Sequence, residues 1–357
     1  MYAKRIYHFF TCYEPSSLIG KLKTDFEYYD LNGVFVITTI TNKIEPNSYV
    51  VSPYGMIIDY SKDELVKIDS FVQKILSLSL IKIFASFFHF TQINKVQTLN
   101  NYLFSTNFFS KEWEDLDVKK LETLAINKYP NHALVIRSVN KVQNPKLYKN
   151  LISSGWIAVT SRQVYIFDDK EYWQKRQNTK IDRKLLSSKD YNFYEATKKK
   201  DFSEAERLYN LLYLQKYSQH NIQFKAHYLQ LLVQDGLLKL YLLQDEVTKK
   251  SVGVVGMTLE DGIMTVPIVG YETNYPQSKA LYRRLIAFAL EYAFKKNVFL
   301  NLSSGAPEFK KLRGAKAELE YMMVKIEHLP FRQRIGWRLI AIISQSFYAR
   351  LLRRLQL

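Results

Sequence analysis

The feature that most constrains this chain is the order in which its apolar period changes after residue 200. Spacing of three and four residues predicts helices over Ser203–Tyr217 and Lys225–Gln234, with Ser203 and Glu206 in capping-box positions. Strand-like runs then cover Leu237–Leu243, Ser251–Leu259 and Gly262–Tyr271, which read as a meander. A long helix Gln277–Lys296, a strand Val298–Leu302, a short helix Ala306–Arg313 and a strand Leu319–Glu327 follow. Helices and strands interleave throughout, so the fold class is α/β or α+β.

At about 150 residues per domain, 357 residues predict two domains. In the first half, Leu31–Thr41, Val50–Tyr60 and Ala133–Val139 read as strands and Gly155–Phe167 as a hairpin. Ser61–Phe90 reads as a long helix capped by Ser61 with Glu64 three residues on. The basic stretch Asp168–Lys200 is the expected junction. The resulting divisions are 1–168, a linker 169–200, a second domain 201–330 and a terminal segment 331–357.

The net charge of +17 is unevenly spread. Residues 331–357 hold six arginines and no acid, and Ile335, Leu339, Ile342, Ile343, Phe347, Leu351 and Leu355 recur there at helical spacing. That is a basic amphipathic helix. It either lies on an anionic membrane, with Trp337 and Tyr348 at the interface, or packs on its own domain. Phe71–Phe90 is long enough to span a bilayer, but Lys74, Lys82 and His89 interrupt it, so a helix of a soluble domain is expected. Met1–Phe10 lacks the pattern of a secretory signal, and no export is expected. The lone Cys12 excludes an intrachain disulfide, which fits a reducing cytoplasm. Scattered histidines without an H-x-x-x-H pair give no expectation of a metal.

The order of elements after residue 200 resembles the GNAT acyltransferase fold. In that family the strand before the long helix splays from its neighbour to receive a pantetheine arm, and the helix start receives phosphate. The corresponding segment here, Tyr271-Glu272-Thr273-Asn274-Tyr275-Pro276-Gln277-Ser278-Lys279, leads into Arg283 and Arg284 but lacks the family's glycine loop. The stretch Leu300–Ala315, with Ser303-Ser304-Gly305 and Phe309-Lys310-Lys311-Leu312-Arg313-Gly314, is similar to a divergent branch containing the Fem-type transferases and cellulose-biosynthesis acyltransferase homologues. The resemblance covers about residues 190–328. It implies a GNAT-like mixed sheet flanked by helices, with the N-terminal half as a degenerate second copy.

What the resemblance implies chemically is transfer of an acyl group from a thioester, on coenzyme A or an acidic carrier protein, to a small-molecule or lipid amine. Tyr271, Thr273, Asn274, Gln277, Ser278, Lys279 and Arg283 would bind the donor. Glu272 reads as the general base or as a strand-end carboxylate paired with a cation; Tyr321 reads as the acid for the leaving sulfur or as a core tyrosine. Ser303, Ser304, Lys310 and Arg313 would hold substrate, unless the serines only turn and cap the chain and the cations are solvated. The alternatives are Fem-like transfer from aminoacyl-tRNA to a cell-wall precursor, with tRNA gripped by Trp173–Lys184, and a non-catalytic binding protein of this fold. A cytoplasmic protein, peripheral at the inner membrane face, is the expected setting.

Overall fold

The structure is a computed structural model whose described residues are 2–65 and 70–355. Its first elements are α1 (Tyr2–Cys12), β1 (Asp25–Leu31), β2 (Val34–Thr41), α2 (Phe71–Phe90) and β3 (Val96–Leu99). They are followed by α3 (Val118–Lys128), β4 (Ala133–Asn140), α4 (Pro145–Ser153) and β5 (Ile157–Phe167). Next come α5 (Lys170–Lys175), α6 (Gln177–Leu186), β6 (Tyr191–Glu195), α7 (Lys199–Asn210) and α8 (Ala226–Gln234). The remaining principal elements are β7 (Lys239–Asp245), β8 (Ser251–Glu260), β9 (Ile263–Tyr271), α9 (Leu281–Lys296), β10 (Phe299–Asn301), α10 (Pro307–Lys311), β11 (Lys316–Lys325) and α11 (Phe331–Ile343).

Two compact units result, each discontinuous in sequence. The first takes residues up to Ser161, Tyr217–Gln223 and Glu320–Arg350; the second takes Arg162–Lys216, Phe224–Leu319 and the residues from Leu351. The division therefore falls inside β5 and again inside β11, not at Asp168–Lys200. That stretch folds as α5, α6 and β6 within the second unit. Its cations lie on the outer faces of amphipathic helices whose other faces bury Trp173, Thr179 and Asp182. A solvated helix face has the composition of a linker.

The units share one order of elements. In the first, β1, β2 and β3 pair antiparallel in sequence, α3 crosses over, and β4 returns parallel to β3. In the second, β7, β8 and β9 form the expected antiparallel meander, α9 crosses over, and β10 returns parallel to β9. A short helix and a strand follow in each case, α4 with β5 and α10 with β11. These last strands are exchanged: Glu320–Lys325 of β11 pairs with β4 in the first unit, and Ile166–Phe167 of β5 pairs with β10 in the second. The second unit also carries β6 against β7. The fold is GNAT-like, and the N-terminal half is a second, degenerate copy of it.

Each unit has its own core. In the first, Val96, Val135, Met322 and Val324 from the strands pack with Phe88, Trp337 and Ile340 from helices. In the second, Leu243, Val255 and Met264 pack under Leu285, Ala289 and Ala293 of α9. Gly270 is fixed by close approach: a Cβ there would lie 2.4 Å from the Leu208 carbonyl oxygen of α7.

Several local expectations are corrected. Val50–Tyr60 is not a strand; Gly55–Asp59 forms a π-turn leading into a helical turn at Tyr60–Glu64. Side chains favour this turn, since Asn94 Oδ1 accepts the Tyr54 N–H at 2.8 Å and Ser52 Oγ accepts that of Gly55 at 2.9 Å. The long helix starts after Ser70, whose hydroxyl accepts the Gln73 N–H; residues 66–69 of the expected helix lie outside the described residues. Gly155–Phe167 forms one strand rather than a hairpin. Helix α7 begins at Lys199, where Asp201 accepts the N–H groups of Thr197 and Lys198, and Glu206 instead accepts the Ala226 N–H at the start of α8.

Candidate active site

Strand β9 pairs with β8 along its whole length, but with β10 only over Ile263–Thr265 against Phe299–Asn301. Beyond Thr265 it runs on to Tyr271 while the chain after β10 turns away. Leu302 N–H donates to the Tyr165 carbonyl at 3.0 Å, and Tyr165 N–H donates to the Ser303 carbonyl at 3.1 Å, so β5 holds that side. Pro267 lies just past the last β9–β10 pair and beside the bulge in β8 between Gly256 and Thr258. Proline has no N–H for a ladder, and a strand that becomes an edge tolerates it. The result is the splayed pair expected of the fold.

Aromatic rings span the mouth of this wedge. Tyr282, in the first turn of α9, lies 6.2 Å from the Tyr271 ring and 5.0 Å from that of Phe309 on α10. On the β10 side the turn 303–306 is strained, with positive φ at Ser303 (58°), Gly305 (81°) and Ala306 (49°). Ala306, not Ser304, occupies the N-cap of α10, ahead of Pro307. The serines therefore form the turn without capping the helix.

Lys310 holds that turn from beneath. Its side chain is 3% exposed, and its ammonium donates to the carbonyls of Leu302 at 2.8 Å, Ser304 at 2.7 Å and Ser303 at 3.3 Å. The Tyr165 ring lies 5.3 Å away. Burial, with the Arg162 charge adding, pulls the Lys310 pKa down to about 7.

The cations expected at the start of α9 are used differently. Asp182, 1% exposed, takes Arg283 on Oδ1 at 2.6 Å and Arg313 on Oδ2 at 2.6 Å. Arg284 donates to the Leu185 carbonyl and lies 4.4 Å over the Tyr191 ring, its pKa lowered by burial. The structure thus brings Arg283 and Arg313 together on a carboxylate of α6. Asp182 was missed in the sequence; its one signal is that it is the sole acid in Gln177–Leu186. No side chain caps α9, which starts from Ala280 at φ 56°. Gln277–Lys279 form a 3-10 turn, and Asn274, Gln277, Ser278 and Lys279 are exposed, with Thr273 half-buried.

Glu272 follows the last residue of β9 and accepts from Arg207 Nη1 at 2.7 Å, and Arg207 also binds Glu204 at 2.9 Å. The carboxylate is thus ion-paired. Tyr321 belongs to the first unit, where it pairs across from Val139 and packs 5.3 Å from the Tyr148 ring. Among the described residues no group of three or more His, Cys, Asp or Glu is placed to hold a metal.

No family profile matches the chain, and no curated protein matches it. Solved structures that it resembles include the C-terminal domain of a putative lysylphosphatidylglycerol synthetase from Agrobacterium fabrum, at 11% identity, covering 70% of this chain and 82% of that one, with a TM-score of 0.48. FemX is similar at 9% identity, over 69% and 83% of the two chains, with a TM-score of 0.48. A tandem GNAT protein from the clavulanic acid biosynthesis pathway is similar at 10% identity, over 66% and 76%, with a TM-score of 0.40. At these identities the likeness is one of outline.

Proposed function

We propose that the second unit transfers an acyl group directly from a thioester, on coenzyme A or an acidic carrier protein, to an amine. The divergence of β9 from β10 carries this reading. Past Thr265 the edge of β9 lies outside the β10 ladder, and the amide groups of a pantetheine arm can add to such an edge as a strand would. The uncapped start of α9 offers N–H groups and a positive dipole end to the donor's phosphate. Thr273, Asn274, Gln277, Ser278 and Lys279 would flank the arm, and Tyr271 would pack on it.

The amine attacks the thioester carbonyl carbon, loses a proton, and the sulfur departs as a thiol. Glu272 is the candidate base, exchanging its Arg207 contact for the amine. The Ser303 and Ser304 hydroxyls, on the turn that Lys310 holds, would donate to the oxyanion. Arg283 and Arg313 act through Asp182 as scaffold. Tyr321, which packs on Tyr148 in the first unit, is given no part in this site. A cytoplasmic setting belongs to the same proposal.

A second reading, Fem-like transfer from aminoacyl-tRNA to a cell-wall precursor, is supported by Lys175, Lys180 and Lys184, exposed on α5 and α6. It is supported too by the engagement of Arg283 with Asp182 and of Arg284 with the Leu185 carbonyl, which leaves a coenzyme's phosphates without them. Thermal-shift measurements with acyl-CoA, loaded carrier protein and tRNA separate the readings. Stabilisation by a thioester donor is expected. Stabilisation by tRNA alone would favour the second reading, and a shift with none of them would leave only a binding role.

A further inference from the structure

The largest unexplained feature of the first unit is the outer face of α2. One side of this helix, with Ile81, Phe84 and Phe88, joins the core beside Trp337 and Ile340. The opposite side is apolar as well. Leu76, Leu80, Ile83 and Phe90 recur at spacings that place them on one stripe, and they are 60%, 56%, 65% and 62% exposed. Helix α11 has the same two-sided character. Trp337, Ile340 and Ala341 are buried, so Trp337 is a core residue and not an interfacial anchor, whereas Phe331, Ile335 and Ile342 lie on the exposed side. Phe347, in the turn that follows, is 68% exposed.

The two helices meet closely. At Gly336 a Cβ would lie 2.7 Å from Thr91 Oγ1, Gln333 donates to Gln92 at 3.1 Å, and the Arg332 guanidinium lies 5.7 Å from the Phe90 ring. The exposed apolar stripes therefore flank one helix junction, with arginine among them. Arg332, Arg338 and Arg350 are exposed, and Lys74 and Lys82 lie on α2. Neither Phe71–Phe90 nor residues 331–357 contain an Asp or Glu.

We propose that α2 and α11 form a lipid-docking face by which the protein lies on an anionic bilayer. Apolar side chains at the centre would enter the headgroup boundary, and the surrounding cations would meet lipid phosphates. A bilayer fits better than a second copy, because a two-fold contact through this face would set arginine against arginine with no acid to offset them. It also fits better than nucleic acid, which gives the aliphatic stripe no partner. No helix among the described residues is long and apolar enough to cross a membrane, so the contact is one of lying on the surface. The inference is independent of the transfer chemistry.

The test is sedimentation of the full chain with phosphatidylcholine vesicles and with vesicles containing phosphatidylglycerol. Binding to the anionic vesicles is expected to be at least tenfold tighter and to weaken with salt. The variant L76S/I83S/F90S should lose about tenfold or more of that binding while its melting temperature holds, because all three side chains are exposed. As a second readout, I83C in a C12S background, labelled with an environment-sensitive dye, should shift to the blue on anionic vesicles. Unchanged binding by the serine variant together with no dye shift would overturn the proposal. So would a wild-type dimer in light scattering that the serine variant converts to monomer, since a second copy would then cover the face.

Discussion

The two units carry out the same construction and finish it differently at one place. In the second unit the parallel strands β9 and β10 pair only over Ile263–Thr265, and β9 runs on to Tyr271 beyond that ladder. In the first, the chain beyond β3 remains tied to β4 by a buried cation. Arg137 of β4, 8% exposed, donates to Asn101 Oδ1 at 3.2 Å and to the Ser105 carbonyl at 3.2 Å, and Ser138 Oγ accepts the Asn107 N–H at 3.0 Å. Tyr102, Leu103 and Phe104 are buried by that loop. Both units thus use a buried cation to gather backbone carbonyls, Arg137 those of Phe104 and Ser105, and Lys310 those of Leu302, Ser303 and Ser304.

The largest effect is expected where the open unit is braced. Asp182→Ala leaves Arg313, only 5% exposed on its side chain, without its carboxylate and should cost about 3–5 kcal/mol in chemical denaturation. An effect below about 1 kcal/mol would show that the brace is dispensable. Arg137→Met addresses the closed unit; releasing the buried carbonyls should cost about 2–4 kcal/mol and raise amide exchange across residues 100–109. If exchange there is unchanged, Arg137 does not close the first unit.

Titration distinguishes the two cations further. The Lys310 pKa is lowered to about 7 in the folded chain, so between that value and the ordinary lysine value near 10.4 the unfolded chain binds more protons. Stability should therefore rise with pH across that window and level off below about 7, where both states hold the proton. Lys310→Met should flatten the slope, measured as denaturation midpoint against pH; an unaltered slope would remove Lys310 as its origin. The smallest effect on stability is expected for Glu272→Gln. Its pair with Arg207 is partly exposed, so the cost should be under about 1 kcal/mol, yet turnover should be lost if Glu272 is the base. Full activity in that variant would end the assignment.

Local pattern carried far into this fold. The meander, the long helix and the short one after it follow from apolar period, and the missing glycine loop is visible directly in Tyr271–Lys279. What could not be read is whatever depends on partners distant in sequence. Asp182 meets Arg283 and Arg313 across more than 100 residues, and nothing local distinguishes it from a solvated carboxylate. The hairpin expected at Gly155–Phe167 fails because each half of β5 is satisfied by strands that no local rule names. Val50–Tyr60 fails because Asn94 and Ser52 offer its backbone bonds that compete with a ladder.

The exchange of β5 and β11 also bears on how such a chain can be made. The first unit contains Glu320–Lys325, so its sheet cannot be completed until those residues have left the ribosome. The second unit can complete its sheet once Phe299–Asn301 is made, ahead of the first unit, the reverse of the order usual for consecutive domains. A fragment ending at the apparent junction near residue 168 would present β4 without its partner from β11, an open strand edge that invites aggregation. The copy of the fold that begins first is the one whose sheet is completed last.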